Sequence, residues 1–208
     1  MLLDFLKTAF VTMLVTIEPA GLAPVFIGLT MGMNKAAKRE VALRASIMAF
    51  AILAAFAFGG GPLMTALGIT IPAFRIAGGL LLFYLAFEMV FELRSQRKRE
   101  FASDAMTIDH IRNVAAFPLA IPLMSGPGAI TAAMLLAGRA AGDWQALSAL
   151  LAIIGLVMLL SYFVFLGAEQ ISRLLGTTGN IVLTRMLGVV LAALAVQFVV
   201  DGIMTVGK

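Results

Sequence analysis

The chain has 208 residues, of which 62% are hydrophobic and 12% are charged, whereas soluble domains carry roughly 25% charged residues. A soluble domain of this size would expose much of that apolar surface, so the composition excludes an ordinary soluble fold and favours an integral membrane protein. The net charge of +4 does not indicate nucleic-acid binding, because the basic residues concentrate in short connections, and the absence of cysteine excludes disulfides and thiolate metal sites.

Long apolar runs predict six membrane-spanning helices. About 20 apolar residues cross the hydrocarbon core of a bilayer. The glycine-rich segment 59–62 (GGGP) predicts the break between the second and third spans, and Asn34, Gly142-Asp143 and Gly179-Asn180 mark other connections. The longest connection is polar and holds the only charge run. The predicted spans cover about residues 5–30, 41–60, 73–93, 114–138, 146–168 and 181–204, and the long connection about 94–112.

The distribution of lysine and arginine predicts the orientation. Positively charged residues favour the cytoplasmic side of a membrane. The first, third and fifth connections and their edges carry most of them, so both termini are expected outside the cytoplasm. The basic residues predicted on the cytoplasmic face are Lys35, Lys38, Arg39, Arg44, Arg94, Arg97, Lys98, Arg99, Arg112 and Arg173, against Lys7, Arg139 and Lys208 on the other face.

The two halves of the chain show a weak internal similarity. A shift of 108 residues places Pro19 on Pro127, and a shift of 110 places Arg75 on Arg185. Each half holds three spans, an odd number, so the second half would cross the membrane in the opposite sense, as in many secondary transporters. The alternative is a coincidence of composition. The prediction is one membrane domain over 1–208, with repeat 1 at about 1–93, a cytoplasmic linker at about 94–112 and repeat 2 at about 113–208.

Two of the predicted spans should be broken near their middle. Prolines and a glycine interrupt the first span at 18–24 (EPAGLAP), and 125–128 (SGPG) interrupts the fourth, after Pro118 and Pro122. Freed backbone groups in hydrocarbon are costly unless they line a cavity, so the breaks predict a polar cavity near the midplane. Half-helix N-termini suit a carboxylate, and half-helix carbonyls suit an ammonium group or a cation. The alternative is a pair of kinks that only shape packing.

Glu18 is the principal candidate functional residue, because an ionisable group at the centre of a membrane helix costs about 2.5–3.5 kcal/mol. It could carry a coupling proton or neutralise an ammonium group or sodium ion; the alternative is a neutral, structural carboxyl group. Arg75 and Arg185 could instead be interface anchors. The predicted substrate-binding residues are Thr16, Glu18, Pro19, Ala20, Gly21, Ser125, Gly126, Pro127, Gly128, Thr131 and Gln197, and the predicted coupling or gating residues are Glu18, Arg75, Gly78, Arg185, Gly188 and Asp201.

Enzymatic chemistry is not expected. His110 is the only histidine and falls in the predicted linker, and no nucleophile–base pair, P-loop or zinc-protease motif occurs. The carboxylates in or near the spans are too dispersed for a six-oxygen metal cage. We therefore expect no cofactor and no metal, with H⁺ or Na⁺ as the coupling ion.

Several motifs resemble the MarC family of bacterial inner-membrane proteins, over nearly the whole chain. They are 18–26 (EPAGLAPVF), 75–83 (RIAGGLLLF), 118–123 (PLAIPL), 126–131 (GPGAIT), 184–188 (TRMLG) and 201–203 (DGI). Similarity to SnatA-type members implies transport of small neutral amino acids such as glycine and alanine, driven by an ion gradient. The wider relationship to LysE-type exporters implies export. Glu18 stands where a shorter Asp or Asn is expected before the proline.

The sequence thus predicts an ion-coupled secondary transporter of a small zwitterionic amino acid, working by alternating access in a bacterial inner membrane. One alternative is a membrane protein without transport activity, acting as a structural or regulatory partner. Another is an exporter of a different small solute or metal ion. The expected partners are the lipid bilayer and the substrate, with homo-oligomers left open and no nucleic acid.

Overall fold

The computed structural model describes residues 2–94, 97–98, 114–140 and 143–206. These residues form eight helical segments and no β-strand. Segment α5 has irregular, wide turns, and the others are α-helical. The segments are α1 (Leu2–Ile17), α2 (Pro19–Leu29), α3 (Lys35–Ala66), α4 (Ile71–Val90), α5 (Ala115–Met124), α6 (Pro127–Arg139), α7 (Trp144–Leu166) and α8 (Ala168–Thr205).

Five helices are long and apolar enough to cross a membrane, and a sixth crossing follows if α5 and α6 form one bent span. Helices α1 and α2 act together as a single span, Leu2–Leu29, and the α5–α6 pair bends by 58°. Large apolar side chains point outward along the spans, as Leu80, Leu81 and Phe83 do on α4. The predicted class, an all-α integral membrane protein, is confirmed.

The predicted break at 59–62 is wrong. Helix α3 continues through these glycines and Pro62 to Ala66, and the connection lies at 67–70, where Gly68 has φ +69°. Gly60 explains why the helix persists: an added Cβ would lie 2.9 Å from the side chain of Met134 on α6. The glycine therefore permits close helix packing, and this packing offsets the weak local helix propensity.

The predicted connection at Gly179-Asn180 is also wrong, because both residues lie within α8. The chain bends instead at Gly176, whose φ of 59° and ψ of −175° are accessible to glycine without strain. The interruption predicted at Asn34 is confirmed, since its side chain caps α3 by accepting a hydrogen bond from the Ala37 amide at 2.9 Å. Asp143 caps α7 in the same way, and Gly142 lies outside the described residues.

The helices pack against one another in pairs. The first span (α1 and α2) packs against α7, α6 packs against α3, and α4 and α8 pack along one another. Glycines allow the α4–α8 approach: a Cβ on Gly79 would lie 2.8 Å from the Ala195 carbonyl oxygen, and one on Gly188 would lie 2.9 Å from Met89 Cβ. The two helix interruptions lie close together, because Thr16 in the first span and Gly126 to Gly128 between α5 and α6 line one cavity.

Candidate functional site

The first span is interrupted at a single residue. Glu18 adopts the left-handed conformation, with φ 53° and ψ 64°, and Pro19 begins α2. Proline favours the first position of a helix because it has no amide hydrogen to satisfy there. The Glu18 amide still donates to the Leu14 carbonyl at 2.8 Å, and its carbonyl accepts from the Leu22 amide at 3.2 Å. The interruption therefore turns one side chain inward while the span continues.

The Glu18 carboxylate is 2% exposed and is surrounded by hydrogen-bond donors. Lys98 Nζ lies 2.6 Å from Oε2, Arg94 Nε lies 3.8 Å from the same oxygen, and the Thr184 hydroxyl donates to Oε1. Gly21 makes room for this side chain, because a Cβ there would lie 2.7 Å from Glu18 Cδ. The carboxylate is thus compensated by a lysine 80 positions away in the chain.

The segment that follows α4 carries the basic side chains of this site, Arg94, Arg97 and Lys98. Arg94 donates to the carbonyl of Thr16, in the last turn of α1, where backbone carbonyls lack an intrahelical partner. Arg97 forms two hydrogen bonds with the buried carboxylate of Glu88. Burial lowers the pKa of Lys98 to about 8, an effect that the Glu18 carboxylate opposes. Among the described residues, Arg94, Arg97 and Lys98 thus lie beside the carboxylates of Glu18 and Glu88.

The second interruption separates α5 from α6. Phe117 and Ile121 have extended backbones inside α5, as expected for residues that precede proline. Helix α6 begins at Pro127 after Gly126, whose backbone is extended and which offers no side-chain cap. The first-turn amides of α6 therefore stay available, and the helix dipole makes this end electropositive.

A cavity of about 240 Å³ joins the two interruptions. Its lining includes Thr16, in the last turn of α1, and Gly126 to Ala129, at the N-terminus of α6. Half-helix ends of opposite polarity therefore line the same small cavity. The lining residues are Thr16, Leu85, Glu88, Arg94, Arg97, Lys98, Pro122, Leu123, Gly126, Pro127, Gly128 and Ala129.

The cavity contains four of the predicted substrate-binding residues: Thr16, Gly126, Pro127 and Gly128. Glu18 does not line it but contacts Lys98 and Arg94, which do. The other predicted binding residues lie elsewhere and stay predictions without a shared site. Pro19, Ala20 and Gly21 form the first turn of α2, Ser125 donates to the Ala49 carbonyl at 3.3 Å, Thr131 packs on Gly78, and Gln197 is exposed and donates to Asp201 at 2.7 Å.

The predicted coupling residues are dispersed. Arg185 pairs with Glu92 at 3.6 Å, and Asp201 pairs with Arg139, whose guanidinium carbon lies 4.3 Å from the centre of the Phe198 ring. Arg75 lines a second cavity, of about 280 Å³, at the ends of α3, α4, α6 and α7. Gly78 and Gly188 sit at helix contacts, where an added Cβ would lie 2.9 Å from Thr131 and Met89 respectively. Of these predicted coupling residues, only Glu18 contacts side chains that line the cavity of about 240 Å³, here called the central cavity.

Sequence reasoning missed the cations that compensate Glu18. It assigned Arg94, Arg97 and Lys98 to a cytoplasmic charge run, whereas Arg94 and Lys98 are buried here. The available signal was the cost of a lone buried carboxylate, which demands a cationic partner. That signal does not say which of the basic residues is the partner. Thr184 and the buried Glu88 were likewise not assigned to the site.

Metal coordination is not supported by the described part of the chain. Within residues 2–94, 97–98, 114–140 and 143–206, no three Asp, Glu or His side chains come close enough together to hold a metal ion. His110 lies outside these residues.

The apolar spans and the enclosed charge cluster define a multi-pass integral membrane protein. Comparison with known proteins identifies it further: the profile of the "MarC family integral membrane protein" matches residues 3–206, and the chain belongs to that family. It is 39% identical over 205 residues to the UPF0056 membrane protein MJ1677 of Methanocaldococcus jannaschii, covering 97% of each chain. It is 37% identical to a UPF0056 membrane protein of Aquifex aeolicus (94% of this chain, 90% of the relative).

A third relative, the UPF0056 membrane protein YvbG of Bacillus subtilis, is 30% identical over 203 residues, covering 98% of this chain and 96% of the relative. These names describe membrane proteins and state no substrate. The comparison with solved structures gives no match. Family membership therefore rests on sequence over the full length, and the substrate has to be argued from the cavity.

Proposed function

We propose that this protein is an ion-coupled secondary transporter of small neutral amino acids such as glycine and alanine. The observation that carries the proposal is the cavity lined by both Thr16 and the N-terminus of α6, half-helix ends of opposite polarity. Broken helices arranged in this way bind zwitterions or ions in secondary transporters. A volume of about 240 Å³ is small for a ligand pocket, which favours a small substrate.

The electropositive wall of the cavity would bind the substrate carboxylate. The amides at the start of α6 have no side-chain cap among the described residues, and Arg94 and Arg97 line the same cavity. Helix N-termini of this kind favour anionic groups. The glycines at 126 and 128 let a ligand approach the backbone closely.

The opposite wall would bind the substrate ammonium group. The Thr16 carbonyl lies in the last turn of α1 and accepts from Arg94, and the Glu18 carboxylate pairs with Lys98 and Arg94. An ammonium group buried near the midplane needs a negative partner, and Glu18 adjoins the cavity as that partner. Glu18 is therefore the residue to which we assign ammonium recognition or coupling.

Transport would proceed by alternating access of two inverted halves. The reciprocal packing of the first span on α7 and of α6 on α3 supports this arrangement, because an inverted repeat exchanges the two contacts. The paired interruptions, one in each half, support it as well. In this proposal both termini lie outside the cytoplasm, the coupling ion is H⁺ or Na⁺, and no enzymatic step, cofactor or metal takes part.

Uptake of radiolabelled glycine and alanine into proteoliposomes tests the proposal. Purified wild-type protein should drive uptake under an imposed proton or sodium gradient and should not do so without one. Glu18→Gln should lose or uncouple uptake, whereas the matched control Glu169→Gln, which alters an exposed lysine-paired carboxylate, should retain it. Absence of both uptake and counterflow by folded wild-type protein would reject the small-amino-acid assignment and favour a protein without transport activity.

A further inference from the structure

Lys98 places an ammonium group where the proposed substrate would need to place its own. Its Nζ lies 2.6 Å from Glu18 Oε2, and its side chain is 8% exposed. The same side chain lines the central cavity. We propose that Lys98 is an internal counterpart of the substrate ammonium group, and that an amino acid binds by exchanging with Lys98 at Glu18. This inference rests on the transporter function proposed above.

Charge balance is the first argument. A buried carboxylate without a partner is strongly destabilised, so Glu18 must stay compensated when the cavity is empty as well as when it is filled. Lys98 provides that compensation in this structure, while Arg94 stays 3.8 Å away and donates instead to Thr16. An incoming zwitterion carries no net charge, so its ammonium group can replace Lys98 at Glu18 without changing the net charge of the buried site.

The second argument concerns selectivity. A ligand with only a carboxylate could occupy the α6 N-terminus but could not replace Lys98, because it carries no cation to pair with Glu18 Oε2. A ligand with only an ammonium group could replace Lys98 but would leave the amides at the start of α6 without an anion. Only a ligand that carries both groups can bind the α6 N-terminus and also pair with Glu18. Lys98 therefore acts as a specificity-determining residue for zwitterions.

The hydrogen bond from Thr184 to Glu18 holds the carboxylate in place during the exchange. The Thr184 hydroxyl donates to Oε1, whereas Lys98 occupies Oε2. Gly21 leaves the space in which the carboxylate lies. The oxygen that faces Lys98 is therefore the one available to a substrate, and the other stays anchored to α8.

A binding measurement tests the exchange. Lys98→Gln removes the competing ammonium group, so the variant should bind glycine more tightly than wild type. If Lys98 occupies Glu18 about nine-tenths of the time, the apparent Kd should fall by about 10-fold. The matched control Lys38→Gln breaks an exposed Lys–Glu pair at 3.0 Å and should leave the Kd unchanged.

A second measurement uses the wild-type chain and does not depend on the folding of a variant. Reaction of Lys98 with an amine-specific reagent, quantified by mass spectrometry, should be slow without ligand and several-fold faster with saturating glycine. Acetate alone or methylamine alone should leave the rate low. Lys38 in the same sample is the reference, because free glycine and methylamine also consume the reagent, and the ratio of Lys98 to Lys38 modification should rise only with glycine.

The outcomes separate the two proposals. If the wild type transports glycine but its Lys98 reactivity is unchanged by glycine, and Lys98→Gln does not alter the Kd, the exchange is rejected and the transporter function stands. If the wild type neither binds nor transports glycine or alanine, both proposals are rejected. Acceleration by acetate or methylamine as strong as that by glycine would reject the zwitterion selectivity.

Discussion

The ammonium nitrogen of Lys98 lies 2.6 Å from a carboxylate oxygen of Glu18, although the two residues are 80 positions apart and both are buried. Glu18 breaks the first span, and Lys98 lies in the segment that follows α4. The ion pair therefore links the interruption of the first span to the segment that follows α4. The predicted effects on stability and on glycine binding depend on this contact.

Breaking this pair from one side should cost more stability than removing it from both sides. Loss of one partner of a buried ion pair costs about 3–5 kcal/mol, because the remaining charge is uncompensated. Glu18→Gln and Lys98→Gln should each lower the free energy of unfolding by that order, and the double variant should lose clearly less than their sum. Denaturant unfolding in detergent measures all three.

The Lys38–Glu169 pair provides the control cycle for this experiment. Both side chains are solvent-exposed, so each single change should alter the free energy of unfolding little. Additive losses at Glu18 and Lys98 would mean that the two residues do not stabilise one another.

Gly21→Ala should displace the Glu18 carboxylate. The added Cβ would lie 2.7 Å from Glu18 Cδ, a distance that forces the side chain to move. We expect a loss of about 1–3 kcal/mol in the free energy of unfolding, as for other overpacked sites, together with reduced glycine uptake.

Gly28→Ala on the same helix is the matched comparison, because nothing lies within 4 Å of its added Cβ. It should raise the free energy of unfolding by about 0.5–1 kcal/mol, the usual helix preference of alanine over glycine. Equal effects at both positions would show that the contact with Glu18 is unimportant.

Glycine binding should tighten as the pH rises through about 8. Burial, opposed by Glu18 and assisted by Arg94, lowers the pKa of Lys98 to about 8. Below that pH Lys98 is protonated and competes for Glu18; above it Lys98 is neutral and the competition ends. The Kd for glycine should therefore fall between pH 7 and pH 9 in the wild type.

The same titration of Lys98→Gln isolates the contribution of Lys98, since protonation of glycine itself affects both proteins equally. The variant should lack the tightening that the wild type shows. Parallel pH profiles for the two proteins would mean that the titration of Lys98 is not linked to binding.

Single cysteines can establish the orientation, because the chain contains none. Trp144→Cys, at a position where the side chain is 79% exposed, should react with a membrane-impermeant maleimide added outside intact cells. Lys35→Cys, at the start of α3, should react only after permeabilisation. The reverse pattern would place both termini in the cytoplasm.

The class of protein and most helix positions could be predicted from the sequence. Apolar runs of span length indicate membrane helices directly, and Asn34 marked the connection before α3, where its side chain caps the helix. The breaks at Glu18-Pro19 and Gly126-Pro127 also followed from local rules. The glycines at 59–61 were misleading because their effect depends on a neighbouring helix: Gly60 packs on Met134 and stays helical.

The sequence by itself determined that the protein lies in a lipid bilayer, that it is helical and where two of its spans are interrupted. Hydrophobicity follows directly from composition, and proline disrupts a helix within about one turn. It also singled out Glu18, since a charge in an apolar run is costly wherever the chain folds. Only the tertiary structure decided which cation compensates that charge and which candidates share a cavity. Ten basic residues were assigned to one face, and their composition does not distinguish Lys98 from Lys38. Packing does, by burying one of these lysines against Glu18 and leaving the other at the surface against Glu169.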